Sequence, residues 1–359
     1  MIYQVLTGNC YDVLKKLSQN PKELGKYRLI VTSPPYYGHR HYGKDPHEIG
    51  QEQTDDVFIE KLVDIFVICR DLLTADGSLW IVMGDTRKKY RKLLIPHRLA
   101  LELTQRKYTI REDIVWFKKN NLSTSSTENF SQAYELVLFL SKNEKSFSNM
   151  NNIRIQGNEA REGRNKTPPK HMMQYEPSNQ DKDKIEKIKE IIHNAQTDTP
   201  FSELPTTVEI ARAYGYNPEK YCPTCYRKFK RHATRKRIGD HKHYPIFAVC
   251  NPSGKNPGNV WEISTKAHHG NEHFAIFPED LIAKIIKFAT KRGDWVLDPF
   301  AGRGTTGMVS VLLGRNFLGI DLYPENVFKS KKNILDAMNG RSALKLERLL
   351  DILAENIHH

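Results

Sequence analysis

Two stretches of the chain carry residue types and spacings that could do chemistry. The first, TSPPYYGHR (Thr32 to Arg40), sets two prolines and two tyrosines directly behind an apolar run. Two prolines fix two φ angles and remove two N–H donors, so the segment leaves its strand with a preset shape and free carbonyls. That suits a rigid turn, and it suits a pocket that grips something flat. The second stretch, VLDPFAGRGTTG (Val296 to Gly307), lies between an apolar run and a helical pattern, the setting a nucleotide-type loop requires. Gly302 and Gly304 let the backbone turn tightly and approach a ligand.

Asp321 ends the next apolar run, 19 positions after Gly302. A carboxylate at that spacing sits where ribose hydroxyls are held at a sheet edge. Asp298, just before the glycines, would repel a pyrophosphate and attract a cationic ligand. No Gly-Lys-Ser/Thr ending follows, which disfavours a nucleoside triphosphate. The remaining reading is a nucleoside that carries positive charge, such as S-adenosylmethionine.

The elements that must position these loops read as alternating strands and helices. Strand-like runs occur at YRLIVTS, GSLWIVMGD, DIVWFKK and YELVLFLSK, with helical patterns at TDDVFIEKLVDIFVICRDLL and PHRLALELTQRKY. The ADG before Ser78 reads as a turn between a helix and the next strand. This alternation predicts an α/β fold, its sheet covered on both faces. After about Lys145 the text turns polar and rich in Asn, Gly and Pro, and the sheet pattern resumes after a Pro/Gly-rich joint. The expected organisation is residues 1–145 and 259–340 as two halves of one domain, 146–258 as an inserted region, and 341–359 as a C-terminal amphipathic helix.

Composition narrows the function classes. Lys plus Arg number 55 against 42 Asp plus Glu, a net charge of +13 over 359 residues, which favours a polyanionic partner such as nucleic acid. No run of about 18 apolar residues is present, so no membrane span is expected. The N-terminal text lacks the basic start and apolar stretch of a secretory signal. With only five cysteines, no disulfide framework is expected and the setting reads as a reducing cytoplasm.

TSPPYY and LDPFAGRGTTG, in that order and with a long region between them, resemble the paired signatures of the β-class DNA amino-methyltransferases. IGQEQT, LLTADGSLWIVMGD, IREDIVWFKKN and HFAIFPEDLI are also similar to family text. The resemblance covers most of residues 1–145 and 259–330. It implies a permuted, Rossmann-like, seven-stranded methyltransferase sheet with an inserted target-recognition region, and S-adenosylmethionine as cofactor. It implies that Ser33, Pro34, Pro35 and Tyr36 form the catalytic loop. Asp298, Pro299, Phe300, Ala301, Gly302, Gly304 and Thr305 would line the cofactor, Asp321 would hold its ribose, and Asn9 and Cys10 would lie near its adenine. The family often has Gly-Asp at that last turn, where Asn9 stands here. Arg303 stands where serine is common, and its side chain is expected to point outward.

Such a site suits methylation of an exocyclic amino group, whose lone pair is delocalised into the ring. Ser33 and the Pro34 carbonyl can accept hydrogen bonds from the amino N–H groups, and Tyr36 offers a face on which an extruded base stacks. Attack at C5 of cytosine would need a Pro-Cys pair, and the chain has none. Family members with Ser at the first motif position resemble cytosine-N4 enzymes more often than adenine-N6 enzymes. Cytosine N4 is therefore the expected target and adenine N6 the runner-up. An RNA base methyltransferase and a non-catalytic DNA-binding regulator stand further back. The implied partners are double-stranded DNA and, in a restriction-modification system, a cognate endonuclease; monomer and homodimer both stay open.

Within the inserted region, Arg227, Lys228, Lys230, Arg231, Arg235, Lys236 and Arg237 form a cluster able to neutralise several phosphates. His39 and Arg40, after the catalytic loop, are the other expected DNA contacts. Cys222, Cys225 and Cys250 with a histidine (His232, His241 or His243) have zinc-ligand chemistry without a second clean pair, so no metal is expected. TVEIARAYGYNPEKY has helix-turn-helix spacing, with Pro223 awkward in its second helix. Trp116, at a strand end, reads as core.

Overall fold

The structure is a computed structural model that describes residues 1–38, 45, 47–120, 128–155, 255–264 and 278–340. The expected DNA contacts His39, Arg40 and Arg227–Arg237, the Cys222/Cys225/Cys250 set, the helix-turn-helix stretch and the 341–359 helix all lie outside the described residues. The chain divides into two compact units, Met1–Asn149 with Gly258–His358, and Met150–Pro257 with His359. In the second unit the described residues form a 3₁₀ turn, Met150–Ile153, and an antiparallel bridge between Ile155 and Lys255.

The first unit is built on one sheet. Its strands are β1 (Tyr3–Thr7), β2 (Tyr27–Thr32), β3 (Leu73–Met83), β6 (Thr109–Phe117), β7 (Tyr134–Ser141), β8 (Val260–Glu262), β9 (Trp295–Asp298) and β10 (Asn316–Asp321). A separate two-stranded ribbon, β4 (Arg87–Lys88) and β5 (Arg91–Lys92), follows β3. The helices are α1 (Cys10–Ser18), α2 (Asp55–Leu72), α3 (Ile95–Gln105), α4 (Glu279–Ala289), α5 (Thr305–Leu312) and α6 (Pro324–Met338). The main sheet runs β1-β10-β9-β2-β3-β7-β6-β8, parallel throughout except that β7 is antiparallel to both its neighbours. The expected seven strands become eight because the short β8 adds to the edge at β6, with Trp116 opposite Trp261.

Strands from the two ends of the chain interleave, since β9 and β10 lie between β1 and β2. This is the sense in which the halves are permuted. It follows from the apolar pattern: β2 is buried along nearly its whole length, as a strand covered on both faces must be. Ile30 lies beside Leu297 in parallel register, so the chain after Thr32 and the chain after Asp298 leave the same sheet edge side by side. Ligands of open α/β sheets bind at such a carboxyl edge where strand order reverses.

The ADG text is not a separating turn. β3 runs through it, and Leu73 pairs with Tyr27 while Ser78 pairs with Leu29, so the extra residues are taken up as an irregularity inside the ladder. Asp76 there ion-pairs with Arg28, and Thr74 Oγ1 donates to it at 3.0 Å. α2 begins where its capping chemistry dictates. Thr54 Oγ1 accepts the Val57 N–H, and Asp55 and Asp56 in the first turn oppose the helix dipole. Arg98 bridges both carboxylates from α3, which fixes the two helices against one another.

Candidate active site

A cavity of about 570 Å³ opens at the carboxyl edge of β2, β9 and β10. Of the residues singled out in the sequence, Asn9, Cys10, Ser33, Pro34, Pro35, Tyr36, Pro299, Phe300, Ala301, Gly302, Thr305 and Asp321 line it. Its volume falls within the range of about 300–1,000 Å³ usual for small-molecule sites. The two motifs, 266 positions apart at Thr32 and Asp298, are joined by a hydrogen bond of 2.6 Å from Thr32 Oγ1 to Asp298 Oδ1.

Asp298 and Gly304 depart from the sequence reading. Asp298 is 1% exposed and is not among the residues that line the cavity; protein donors surround its carboxyl. It accepts from Thr32 Oγ1, from Thr306 Oγ1 at 2.6 Å and from the Phe300 N–H at 3.0 Å, and thereby pins the glycine loop onto β2. Burial pushes its carboxyl up to about 6, although the two threonine hydroxyls and the amide pull the other way. Ionising it in the folded state is therefore unfavourable, and this group's contribution to stability is lost as pH rises from about 4 through about 6. Asp298→Asn removes that loss. The melting temperature of the variant relative to the parent rises between pH 4 and pH 7, corresponding to at most about 3 kcal/mol for two pKa units. A difference that is flat or falls over this range contradicts the assignment.

Gly304 caps α5 with φ 85°, and it faces protein rather than ligand. A Cβ there would lie 2.3 Å from Ser330 Oγ and 3.0 Å from Ser330 Cα on α6. Gly304→Ala is expected to cost about 3 kcal/mol, from overpacking and left-handed strain together. Urea unfolding measures it, and adding Ser330→Gly should recover part of the loss. Gly302 differs: its φ is 51°, it borders the cavity, and a Cβ on it meets nothing within 4 Å.

On the glycine-loop side, Asp321 is the convergent group. Its Oδ2 accepts the Gly302 N–H at 2.9 Å, and its Oδ1 accepts the Tyr323 N–H at 3.0 Å and Asn326 Nδ2–H at 3.1 Å. Burial raises its pKa, with those donors opposing. Asn9 borders the cavity, but its Oδ1 caps α1 by accepting the Tyr11 and Asp12 N–H groups. Cys10 is buried, and its thiol is pushed up to about 12 by burial. Arg303 borders the cavity, and its carbonyl accepts from Asn333 Nδ2–H at 3.0 Å.

On the proline side, the structure adds residues the motif did not reveal. Tyr36 Oη donates to Glu135 Oε2 at 2.8 Å, and Lys118 Nζ pairs with the other oxygen of Glu135. Burial and Glu135 hold the Tyr36 phenol well above its usual pKa, against the smaller opposing influence of the neighbouring Ser33 side chain and Gly84 backbone. Gly84 lets this happen, since a Cβ there would meet Tyr36 Cε2 at 3.0 Å. Glu48 and Tyr323 tie the two sides together through a 3.2 Å hydrogen bond from Tyr323 Oη. Trp116 is both core and cavity wall, being 3% exposed with its Nε1–H on the Ile263 carbonyl at 2.9 Å. The available signal for Lys118 and Glu135 was a charged residue at the end of an apolar strand, in WFKK and YELVLFL.

A family model described as DNA methylase matches residues 27–332. The chain belongs to the DNA methylase family. Type II methyltransferase M.SfiI of Streptomyces fimbriatus is 29% identical to this methylase, over 89% of the chain and 88% of the relative. PvuII DNA methyltransferase, described as cytosine-N4-specific, matches in fold with a TM-score of 0.57 and 16% identity, covering 98% of this chain and 91% of that one. A DNA modification methylase from Thermus thermophilus, solved with S-adenosyl-L-methionine, matches with a TM-score of 0.51 and 16% identity over 94% of each chain. The methyl donor of this methylase is S-adenosylmethionine, and its substrate is DNA. Among the described residues no helix is long and apolar enough to cross a membrane.

Proposed function

We propose that this methylase transfers a methyl group to the exocyclic N4 of a cytosine turned out of duplex DNA, as the cytoplasmic modification enzyme of a restriction-modification system with a cognate endonuclease. The observation that carries the reading is the cavity wall built by the proline loop, where Ser33, Pro34 and Tyr36 stand together. Lys118 holds Glu135, and Glu135 takes the Tyr36 proton, so the tyrosine is fixed in place beside Ser33. A hydroxyl has one proton and two lone pairs. Ser33 can therefore accept a hydrogen bond from an amino group in the cavity. The rigid Pro34 carbonyl is a second acceptor on the same wall, and Tyr36 supplies an aromatic face.

The residues fit S-adenosylmethionine. Gly302 leaves open space where any side chain would intrude, and Asp321 keeps lone-pair capacity on Oδ2 for a ribose hydroxyl. Bound there, the cofactor supplies an electrophilic methyl on a sulfonium. The protein's part is to orient the amino nitrogen, exclude water and accept the N–H hydrogen bonds, with no enzyme nucleophile required. Inserted residues 146–258 read the target site on this proposal.

Support for cytosine over adenine is Ser33 at the first motif position, which in this family goes more often with N4 methylation. Adenine N6 remains the second reading, because the same acceptor geometry serves either amino group. Sequencing DNA from a host that expresses the methylase reads both the modified base and its context. Recurrent N4-methylcytosine in one sequence motif supports the proposal, whereas N6-methyladenine or unmodified DNA overturns it.

A further inference from the structure

The β4–β5 ribbon has no part in the site described above, yet it grows from the wall of that site. TRKKYRK (Thr86 to Lys92) carries five basic residues and one tyrosine in seven positions. Its roots are fastened to the catalytic loop. Thr86 Oγ1 donates to the Tyr37 carbonyl at 2.9 Å, and Gly84, two residues earlier, lies against the Tyr36 ring. Asp85 accepts the N–H groups of Thr86, Leu94 and Ile95 at 2.9–3.0 Å and so clamps both ends of the ribbon. Lys92 lies 5.5 Å from the Tyr134 ring, next to Glu135. The ribbon therefore projects from the sheet edge at which the cavity opens, because β3 is parallel to β2 and ends beside it.

The fold accounts for only part of the charge it carries: Lys92 pairs with Asp85, and Arg91 acts at longer range on the Asp55 carboxyl. Arg87, Lys88, Lys89 and Arg91 are exposed and form no ion pair among the described residues. Lys88 stands directly opposite Arg91 across the ribbon, a like-charge pairing that destabilises a two-stranded sheet unless an anion lies against it. Lys89 turns the corner with φ 57°, where glycine is the easy choice. Tyr90 beside it is 80% exposed.

We propose that this ribbon is a DNA-backbone clamp, whose Arg87, Lys88 and Arg91 neutralise phosphates of the duplex flanking the base held in the cavity. The inference rests on the reading of the protein as a methylase of duplex DNA. It adds a phosphate-binding surface in the catalytic unit, separate from the inserted region. Because the ribbon is fastened to Tyr36 and Tyr37, binding of the backbone there fixes the duplex in register with the catalytic loop.

The test compares Arg87→Gln/Lys88→Gln/Arg91→Gln with Lys15→Gln/Lys16→Gln/Lys22→Gln. The second triple makes the same charge change at and beyond the far end of α1, away from the cavity edge. Fluorescence anisotropy on a short duplex is read across a salt titration, with S-adenosylmethionine affinity and melting temperature measured alongside. The ribbon triple is expected to weaken DNA binding at least tenfold. Its log–log salt dependence should be shallower by about 2.7, at roughly 0.9 for each of the three phosphates no longer neutralised. The control should stay within twofold, with cofactor affinity unchanged in both. Lys88→Gln alone, expected to remove about 0.9 of slope, keeps the test available if the triple does not fold. Parent-like binding and slope for the ribbon variants, or an equal loss in the control, overturns the clamp alone. A parent protein that binds no duplex DNA overturns the clamp and the functional reading together.

Discussion

Ser33→Ala should lower the rate of methyl transfer to DNA by at least about 100-fold while S-adenosylmethionine affinity stays within about twofold. The loss is that of one oriented hydrogen-bonding group at the reacting centre, worth about 10²–10³ in rate where such groups have been removed elsewhere. Affinity should persist because Ser33 lies on the β2 side, whereas Gly302 and Asp321 follow β9 and end β10. Tyr36→Phe separates the Tyr36–Glu135 hydrogen bond from stacking. It keeps the ring but removes the hydroxyl that donates to Glu135. The ring is then held less firmly beside Ser33, and the rate should fall by about tenfold. Single-turnover transfer from labelled cofactor to duplex DNA measures both. Full activity in Ser33→Ala removes the assigned role of the catalytic loop.

Asp321→Ala should weaken S-adenosylmethionine binding by on the order of 10- to 100-fold. A hydrogen bond to an ionised group contributes about 1.5–3 kcal/mol, and Asp321 also holds the Gly302 N–H that shapes the loop. Gly302→Val should bring a comparable loss by a different route, because its side chain occupies the space left open at the cavity wall. Calorimetric titration of the cofactor checks both. Gly302→Val also meets left-handed strain at φ 51°, so urea unfolding is read alongside. The contrast is that Gly304→Ala in addition drives a Cβ into Ser330, whereas a Cβ at Gly302 meets no protein atom within 4 Å and enters the cavity wall. Unweakened cofactor binding in Asp321→Ala would place the ribose elsewhere.

Much of this was legible in the sequence, for a physical reason. A proline pair after a buried parallel strand and glycines after another both mark chain that leaves a sheet edge under constraint, so each loop announces its own position. Their order along the chain, through the resemblance it carries, also pointed to the permuted sheet that sets β9 beside β2. What could not be read was which way individual side chains face. Asp298 looks like a ligand-facing carboxylate until Thr32 and Thr306 are seen to cover it. Gly304 looks like a twin of Gly302 until Ser330, 26 positions later, is found against it. Glu135 lies on β7 and Lys118 just past the end of β6, and the approach of Tyr36 to Glu135 depends on Gly84, a long-range fact with no local pattern. The ribbon at Arg87–Lys92 was hidden in plain sight, its charge diluted by a basic chain.

The central claim is that this site is built to accept an amino group of cytosine from duplex DNA. Digesting methylated duplex to nucleosides after incubation with purified protein and methyl-labelled S-adenosylmethionine, then separating them by mass, addresses it directly. The label should appear in N4-methylcytidine's deoxy form and vanish with Ser33→Ala. Label in N6-methyldeoxyadenosine, in 5-methyldeoxycytidine, or in no nucleoside of the duplex contradicts it.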